Sequence, residues 1–416
     1  MGVYIGPEGA RKGQIIIVQK EIEQNPDHEI IERKGLGHPD TICDALAVKL
    51  SQNYARYTVE NCDGMILHHQ FDKVMIIGGK TDVTWGHGEF LEPVLVNIAG
   101  RISRSYLDRQ IPTDEIVQET VKSYFAENFS LFDLDADLKI NNFLTSSAGP
   151  GTIRESRGAI KNMFNPVDKG AVRGYEELVA NDTSYCIGYA PLSRLENAVL
   201  ETERYLNSKS LKEKYLWLGS DIKIMAVKHK EAVDMTICIP QIAKYVHSLE
   251  EYQSNLEIAS QEVMNMLSQY FSPANINLSV NTKDDYEKCN VYLTVTGASL
   301  SGDIGVVGRG NRPNGLITAN RPMSIEGTCG KNPRYYSGFI YAVASRKIAD
   351  RVCSETQKPC VVETVSQNGG DLLQPWKTFV ITGFNDEGLI KELVRQEFQK
   401  IPKITEEFLK GSIITY

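Results

Sequence analysis

The residues from Ser301 to Tyr341, SGDIGVVGRGNRPNGLITANRPMSIEGTCGKNPRYYSGFIY, combine glycines with fixed cations around an acid. Between Asp303 and Arg334 stand five cations (Arg309, Arg312, Arg321, Lys331 and Arg334) against two acids (Asp303 and Glu326), in a chain whose formal net charge is −8. Glycines let the backbone approach a ligand and turn its N–H groups toward it, while Arg forks and Lys point charges neutralise phosphoryl oxygens. The stretch therefore reads as a polyphosphate-holding loop. It is neither of the familiar nucleotide loops: no GxxxxGK[ST] occurs, and Gly302, Gly305 and Gly308 lack the order of a GxGxxG turn.

Four other blocks carry polar groups that suit such a ligand. In ERKGLGHPD, His38 and Asp40 stand where a helix from Thr41 begins, a place where free N–H groups and the dipole favour anions. Asp40 is equally an ideal N-cap, so capping and metal binding are both open to it. In LHHQFD, extended backbone sends His68 and His69 to opposite faces, which argues against a shared transition metal, while Asp72 has the oxygens of a hard-cation ligand. In ANDTSYCIGYAPLS, Asp182 is by default a turn former, ahead of an apolar strand and a helix capped by Ser193. In SDIKIM, Asp221 and Lys223 share one strand face and Ile222 and Ile224 the other, the pattern of an ion pair as much as of a site.

The elements that must position these groups are mixed. Strands are expected at 14–18, 73–77, 221–227, 235–239, 290–296, 359–365 and 377–382, and helices at 41–60, 92–107, 114–128, 192–207, 249–270, 341–354 and 387–399. The hairpin-like pair 221–227 and 235–239 breaks a strict βαβ rhythm, so an α+β fold with mixed or antiparallel sheets is expected. The 416 residues suffice for two or three packed units, yet no linker, low-complexity tract or fixed-period repeat divides them. Residues 149–175 are the least regular and read as a loop near the site.

Composition excludes several classes. The acidic balance argues against nucleic acid as a partner, since such a protein needs a broad basic face. Eight cysteines without a CxxC pair read as reduced thiols in the cytoplasm. No apolar leader and no membrane-spanning run of the required ~18 residues is present, so neither secretion nor membrane insertion is expected.

Taken in order, ERKGLGHPDTICDALA, HHQFD, VANDTSYCIGYAPLS with LETERYLNS, DIKIM, NTKDDYEKCNVYLTVTG and GDIGVVGRGNRPNGLITANRPMSIEGTCGKNP resemble the S-adenosylmethionine synthetases (methionine adenosyltransferases), in particular their archaeal-type branch, over residues 28–340. The resemblance implies three similar α+β subdomains around a pseudo-threefold axis, here approximated as 14–140, 141–285 and 286–416. It implies condensation of ATP with L-methionine, cleavage of the released triphosphate to phosphate and diphosphate, Mg²⁺ and K⁺ as cofactors, and a homodimer with active sites at the interface. A thioether sulfur carries no proton, so such chemistry needs alignment and charge stabilisation rather than a base.

Residue by residue, the resemblance implies His38 as donor to the departing oxygen and Lys223, Arg309 and Lys331 on the triphosphate; Arg312 and Arg334 are added as phosphate-facing cations from the charge of the stretch itself. Asp182, Asp221, Asp303 and Asn332 would lie around the substrates, Asp40 would hold metal, joined by Asp72 on its own oxygen chemistry, and Gly149, Gly151 and Thr152 match a GxGS loop near ATP. The chain departs from the pattern at several points. Tyr336, Phe339 and Ala342 replace the His, Lys and Asn of GKNPxxHxGKxYN, HHQFD replaces HHNTD and puts Phe71 beside the site, and Arg154 takes the place of an acid. On this reading a phosphate-facing cation is lost at 339 and Arg334 restores it. A diverged relative that alkylates another thioether or mainly hydrolyses triphosphate, and a silent nucleotide-binding partner subunit, are the alternatives.

Overall fold

A computed structural model describes residues 13–147, 163–172 and 178–416. Gly149, Gly151, Thr152 and Arg154 lie outside the described residues. In chain order the principal elements are β1 (Gln14–Gln19), β2 (His28–Lys34), α1 (Pro39–Asn61), β3 (His69–Ile77), β4 (Val94–Ile102), α2 (Thr113–Asn128), β5 (Leu138–Thr145), β6 (Tyr185–Ala190), α3 (Arg194–Leu206), β7 (Lys223–His229), β8 (Ala232–Cys238), α4 (Leu249–Leu267), β9 (Ile276–Val280), β10 (Ile304–Val306), α5 (Ser337–Thr356), β11 (Cys360–Val365), β12 (Lys377–Thr382), α6 (Glu387–Gln399) and α7 (Ile401–Leu409).

One motif, strand, helix, antiparallel strand pair, helix, strand, generates this order three times. It reads β2-α1-β3-β4-α2-β5, then β6-α3-β7-β8-α4-β9, then β10-α5-β11-β12-α6, with β1 as the closing strand of the third. In each sheet the central pair is antiparallel (β3/β4, β7/β8, β11/β12) and the closing strand adds in parallel to its second member. The fourth strand always comes from another repeat: β2 pairs with β7, β6 with β11, and β10 with β3, each antiparallel. The repeats thus exchange opening strands in a cycle. No repeat completes its own sheet, which is why no linker is visible, and a boundary at 140/141 falls inside β5.

Most expected elements are present within a few residues, including α1, α3, α4, α6 and β12, and Ser193 caps α3 in a reciprocal box with Glu196. The helix expected at 92–107 is instead β4. Its Val94, Val96 and Ile98 are fully buried at alternate positions, and this period of two among β-branched residues overrides the helical pattern. The strand expected at 290–296 shrinks to Leu293–Thr294, and β2, β5 and β9 were not anticipated.

Burial follows from the strand exchange. Helix α1 packs on β3, α2, β10 and α7, so it is buried nearly all round rather than along one stripe. The sheet β10-β3-β4-β5 hides Val74, Ile76, Val96 and Ile98 under α1 and α2 but leaves Met75, Phe143 and Ile304 exposed on its outer face. A second core lies between the β2-β7-β8-β9 sheet and α3 and α4, around Leu195, Val199, Ile224, Met235, Tyr252 and Val263.

His69, in β3, is fully buried, with Nε2 at 2.8 Å from Ser51 Oγ and Nδ1 at 2.9 Å from Leu67 O. Burial pushes its imidazole down to about 4. Between that value and the unfolded one of roughly 6.5, the unfolded chain binds the extra proton, so stability is lost as pH falls through this window. Buried Asp44 and Asp221 are shifted up and act in the opposite sense, so the comparison must be differential. In urea denaturation, the stability gap between the parent and His69→Gln should narrow by about 2 kcal/mol from pH 7 to pH 5. A gap independent of pH would show that the folded core accepts the charged ring.

Candidate active site

Glycines decide where His38 goes. After β2 the chain crosses Ser220–Ile222, and a Cβ on Gly35 or Gly37 would run into the backbone of Ile222 or Asp221, so only glycine allows the crossing. Gly37 N–H donates to Ser220 O at 2.9 Å, and the start of α1 is brought against the residues that open β7. Pro39 occupies the first turn, where its missing N–H costs nothing.

The cap of α1 is His38 rather than Asp40. His38 Nδ1 accepts the Asp40 backbone N–H at 3.1 Å, which fixes the neutral imidazole with its proton on Nε2. Burial lowers the pKa of His38, against the opposing pull of Asp40. Relieved of capping, Asp40 accepts from Val306 N at 2.9 Å through Oδ1 and pairs with Lys34 Nζ at 2.9 Å through Oδ2. One turn on, Asp44 accepts from Gly308 N at 2.7 Å. Asp44 was not anticipated, although two acids four apart on one helix are a readable signal. Burial drives its carboxyl up to about 7. The glycines of the loop are a matter of fit: a Cβ on Gly305 would strike the Pro39 backbone, and one on Gly310 would strike Asp44 Oδ2.

Beside the helix start lies a cavity of about 470 Å³ lined by His38, Asp221, Lys223, Tyr292, Ser299 and Asp303 among others. That is ample for a nucleoside-sized ligand. Asp221 is 5% exposed, accepts from Tyr292 Oη at 2.5 Å through Oδ2, and has no hydrogen-bond partner on Oδ1. Burial raises its carboxyl to about 6. Lys223 sits opposite Lys34 across the β7/β2 pair, with Nζ 3.4 Å from Glu32 Oε1. Asp303 is exposed at the rim and accepts from Ser299 Oγ at 3.1 Å. Arg309 is exposed next to this group, its carbonyl receiving Lys34 Nζ at 2.7 Å.

The remaining candidates form a second cluster. Lys331, 8% exposed, stands 3.3 Å from Asp72 Oδ2, 3.5 Å from Glu326 Oε1 and 4.2 Å over the ring of Tyr336. Burial pushes the Asp72 carboxyl up, but the ammonium groups of Lys331 and Lys73 hold it below the usual range. Tyr336 Oη accepts from Gln70 Nε2 at 2.9 Å, and Asp182, exposed, accepts from Thr183 N at 2.7 Å and lies within electrostatic reach of Tyr336. The second cluster borders β3 at Asp72, whereas Asp303 precedes the strand that pairs with Ile77, so the two groups lie roughly 17 Å apart along one strand. The sequence-predicted residues are thus split into two sets.

Several expectations need correction. Arg312 donates to Gly308 O at 2.7 Å and Gly310 O at 3.0 Å, clamping the loop from within. Arg321 pairs with Glu196 at 3.0 Å and covers the Tyr189 ring at 4.7 Å. Asn332, fully buried, donates to Leu67 O at 3.0 Å and accepts from Arg334 N at 3.0 Å, so it holds backbone rather than a ligand. Phe71 turns into the core beside Tyr54 rather than toward the site. Phe339 packs against Phe408 at 5.0 Å, so position 339 does not face phosphate in this chain and half-buried Arg334 has no lost charge to restore there. Gln70 and Tyr336, by contrast, both depart from the archaeal-type pattern and are bonded to each other. Among the described residues no three His, Cys, Asp or Glu side chains converge as a metal-ligand set, and no helix is long and apolar enough to cross a membrane.

Residues 14–412 match the family described as S-adenosylmethionine synthetase (AdoMet synthetase). The chain is 37% identical to a probable S-adenosylmethionine synthase of Aquifex aeolicus, over 92% of this chain and 94% of that protein. It is 35% identical to the S-adenosylmethionine synthase of Thermoplasma acidophilum, over 95% and 98% of the two chains. Among solved structures, an unusual S-adenosylmethionine synthetase from Campylobacter jejuni shares the fold, with a TM-score of 0.55 at 15% identity, covering 89% of this chain and 88% of that one.

The seating of the glycine loop on α1 is testable by volume alone. Gly310→Ala, which drives a methyl group into Asp44 Oδ2, should lower stability by about 1–3 kcal/mol. Gly327→Ala, with nothing within 4 Å of the added carbon, should stay within about 0.5 kcal/mol of the parent. Equal urea midpoints for the two variants would refute the proposed contact.

Proposed function

Because the chain belongs to the S-adenosylmethionine synthetase family and is a methionine adenosyltransferase, we propose that its two polar clusters are the two halves of one active site, completed across a homodimer. The observation that carries this reading is the cap of α1. With Nδ1 accepting from Asp40 N, the proton of His38 is on Nε2, where it serves as donor to the oxygen that leaves C5′ as methionine sulfur attacks. Lys223 and Arg309 on one side and Lys331 on the other neutralise the departing triphosphate, which is then hydrolysed to phosphate and diphosphate. Asp182, Asp221 and Asp303 orient methionine and the adenosyl group.

The oxygen donors fit a hard divalent cation. The ammonium of Lys34 already rests 2.9 Å from Asp40 Oδ2, a place that favours positive charge. Mg²⁺ takes one or two carboxylates and leaves its other positions to phosphate and water, so Asp40, and Asp72 in the second cluster, would hold it without a larger protein cage. When bound, the ion neutralises charge developing on the triphosphate. K⁺ is proposed as an activator on the family resemblance alone.

The outer face of the β10-β3-β4-β5 sheet supports the dimer. Met75, Phe143 and Ile304 are exposed there, between Asp72 and Asp303, which belong to different clusters. A twofold pairing of this face covers the apolar residues and sets the Lys331 cluster of one protomer beside the His38 cavity of the other. The three strand-exchanged repeats are proposed as the three subdomains of the family, and unpaired thiols at all eight cysteines suit a cytoplasmic protein. No observation favours the triphosphatase or silent-subunit alternatives.

With ATP, Mg²⁺, K⁺ and methionine, the protein should yield a sulfonium nucleoside, phosphate and diphosphate, and His38→Ala should slow sulfonium formation by at least about 100-fold. His38→Ala and Lys331→Ala protomers, each inactive alone, should regain about a quarter of parental activity when co-expressed, because half of the dimers then hold one intact site. Failure of the mixture to exceed its parents would place both clusters in the service of a single protomer.

A further inference from the structure

Tyr292 carries no role in the reading above, yet among the described residues it is the one side chain bonded to the Asp221 carboxylate. Its phenol donates to Asp221 Oδ2 at 2.5 Å. Burial, with the Asp221 carboxylate beside it, pushes the phenol pKa far above its usual value, so the proton stays on the tyrosine. In the same cavity the Ser299 hydroxyl donates to Asp303 Oδ2 at 3.1 Å. Asp221, Tyr292, Ser299 and Asp303 all line the cavity that holds His38 and Lys223. The free Asp221 Oδ1 is buried without a hydrogen-bond partner. A buried acceptor left in this state is costly and is kept where a ligand brings the donor.

We infer that Tyr292 is a positioning residue for adenosyl transfer: by holding Oδ2 of Asp221 it aims Oδ1 at one hydrogen-bond donor of a bound substrate. The donor is a hydroxyl or an ammonium, groups that ATP and methionine respectively supply. The inference rests on the assignment of this cavity to adenosyl transfer. It separates the two half-reactions, because hydrolysis of a free triphosphate brings no such donor to Asp221.

Tyr292→Phe keeps the ring and removes only the hydroxyl. It should lower kcat/KM for sulfonium formation roughly 10- to 100-fold, through the KM of ATP if the donor is a ribose hydroxyl and of methionine if it is the ammonium. Hydrolysis of added inorganic tripolyphosphate should stay within about twofold of the parent. In an Asp221→Ala background, Tyr292→Phe should add less than about twofold, since it acts through that carboxylate. Equal losses in synthesis and hydrolysis, no loss in either, or full multiplication of the two substitutions would each overturn the inference. If Asp221→Ala itself leaves sulfonium formation at the parental rate, the cavity assignment falls. If Asp221→Ala is impaired but Tyr292→Phe is not, only the role of Tyr292 falls.

Discussion

Two carboxylates one helical turn apart join the glycine loop to the start of α1. Asp40 takes the N–H of Val306 and Asp44 takes that of Gly308, so the loop is held at two successive points along one helix face. Everything cationic that follows in the loop depends on that seat. It also explains the electrostatic economy of the region, since Arg312 folds back onto the Gly308 and Gly310 carbonyls and keeps the turn closed from the opposite side. The backbone, not the side chains, is the part of the loop built to a tight tolerance, because Gly305 and Gly310 leave no room for a single added carbon.

The exchange of opening strands makes this contact long-range by construction. β10 enters the sheet of the first repeat beside β3, and in doing so it delivers Asp303 and Arg309 to the helix that follows β2. β2 in turn enters the sheet of the second repeat, where Lys34 faces Lys223. Residues nearly three hundred positions apart are neighbours because the topology is cyclic, with no need for a dedicated domain interface. The site is accordingly rigid at its base, where glycine crossings and paired strands meet, and open at its rim, where Asp303 and Arg309 face solvent.

Residue chemistry was more legible in the sequence than placement. The charge surplus around Asp303 and the helix start at His38 were visible, as was the strand carrying Asp221 and Lys223, because each depends on local patterning. The assignment of capping was not: Asp40 has the right chemistry, but His38 stands two positions earlier, at the cap itself, and Pro39 fixes the turn between them. The apparent loss of a cation at 339 was likewise an artefact of reading a helix without its partner, since only α7 reveals that Phe339 has Phe408 to pack against. The 92–107 helix failed for a related reason, Val94, Val96 and Ile98 alternating under a cover that a local window does not contain. The threefold repeat left no trace because it is conserved in strand pairing rather than in residue identity.

The closing strand of the third repeat is β1, which pairs in parallel with β12 so that Gln14 lies beside Lys377. During synthesis on the ribosome, β1 must therefore wait until β12 has been made before its partner exists. Until then its Ile15, Ile16 and Ile17 present an unpaired, β-branched edge to the crowded cell. Addition of β1 to β12 is therefore a late, long-range event in folding, the consequence of a ring-shaped topology written on an open chain.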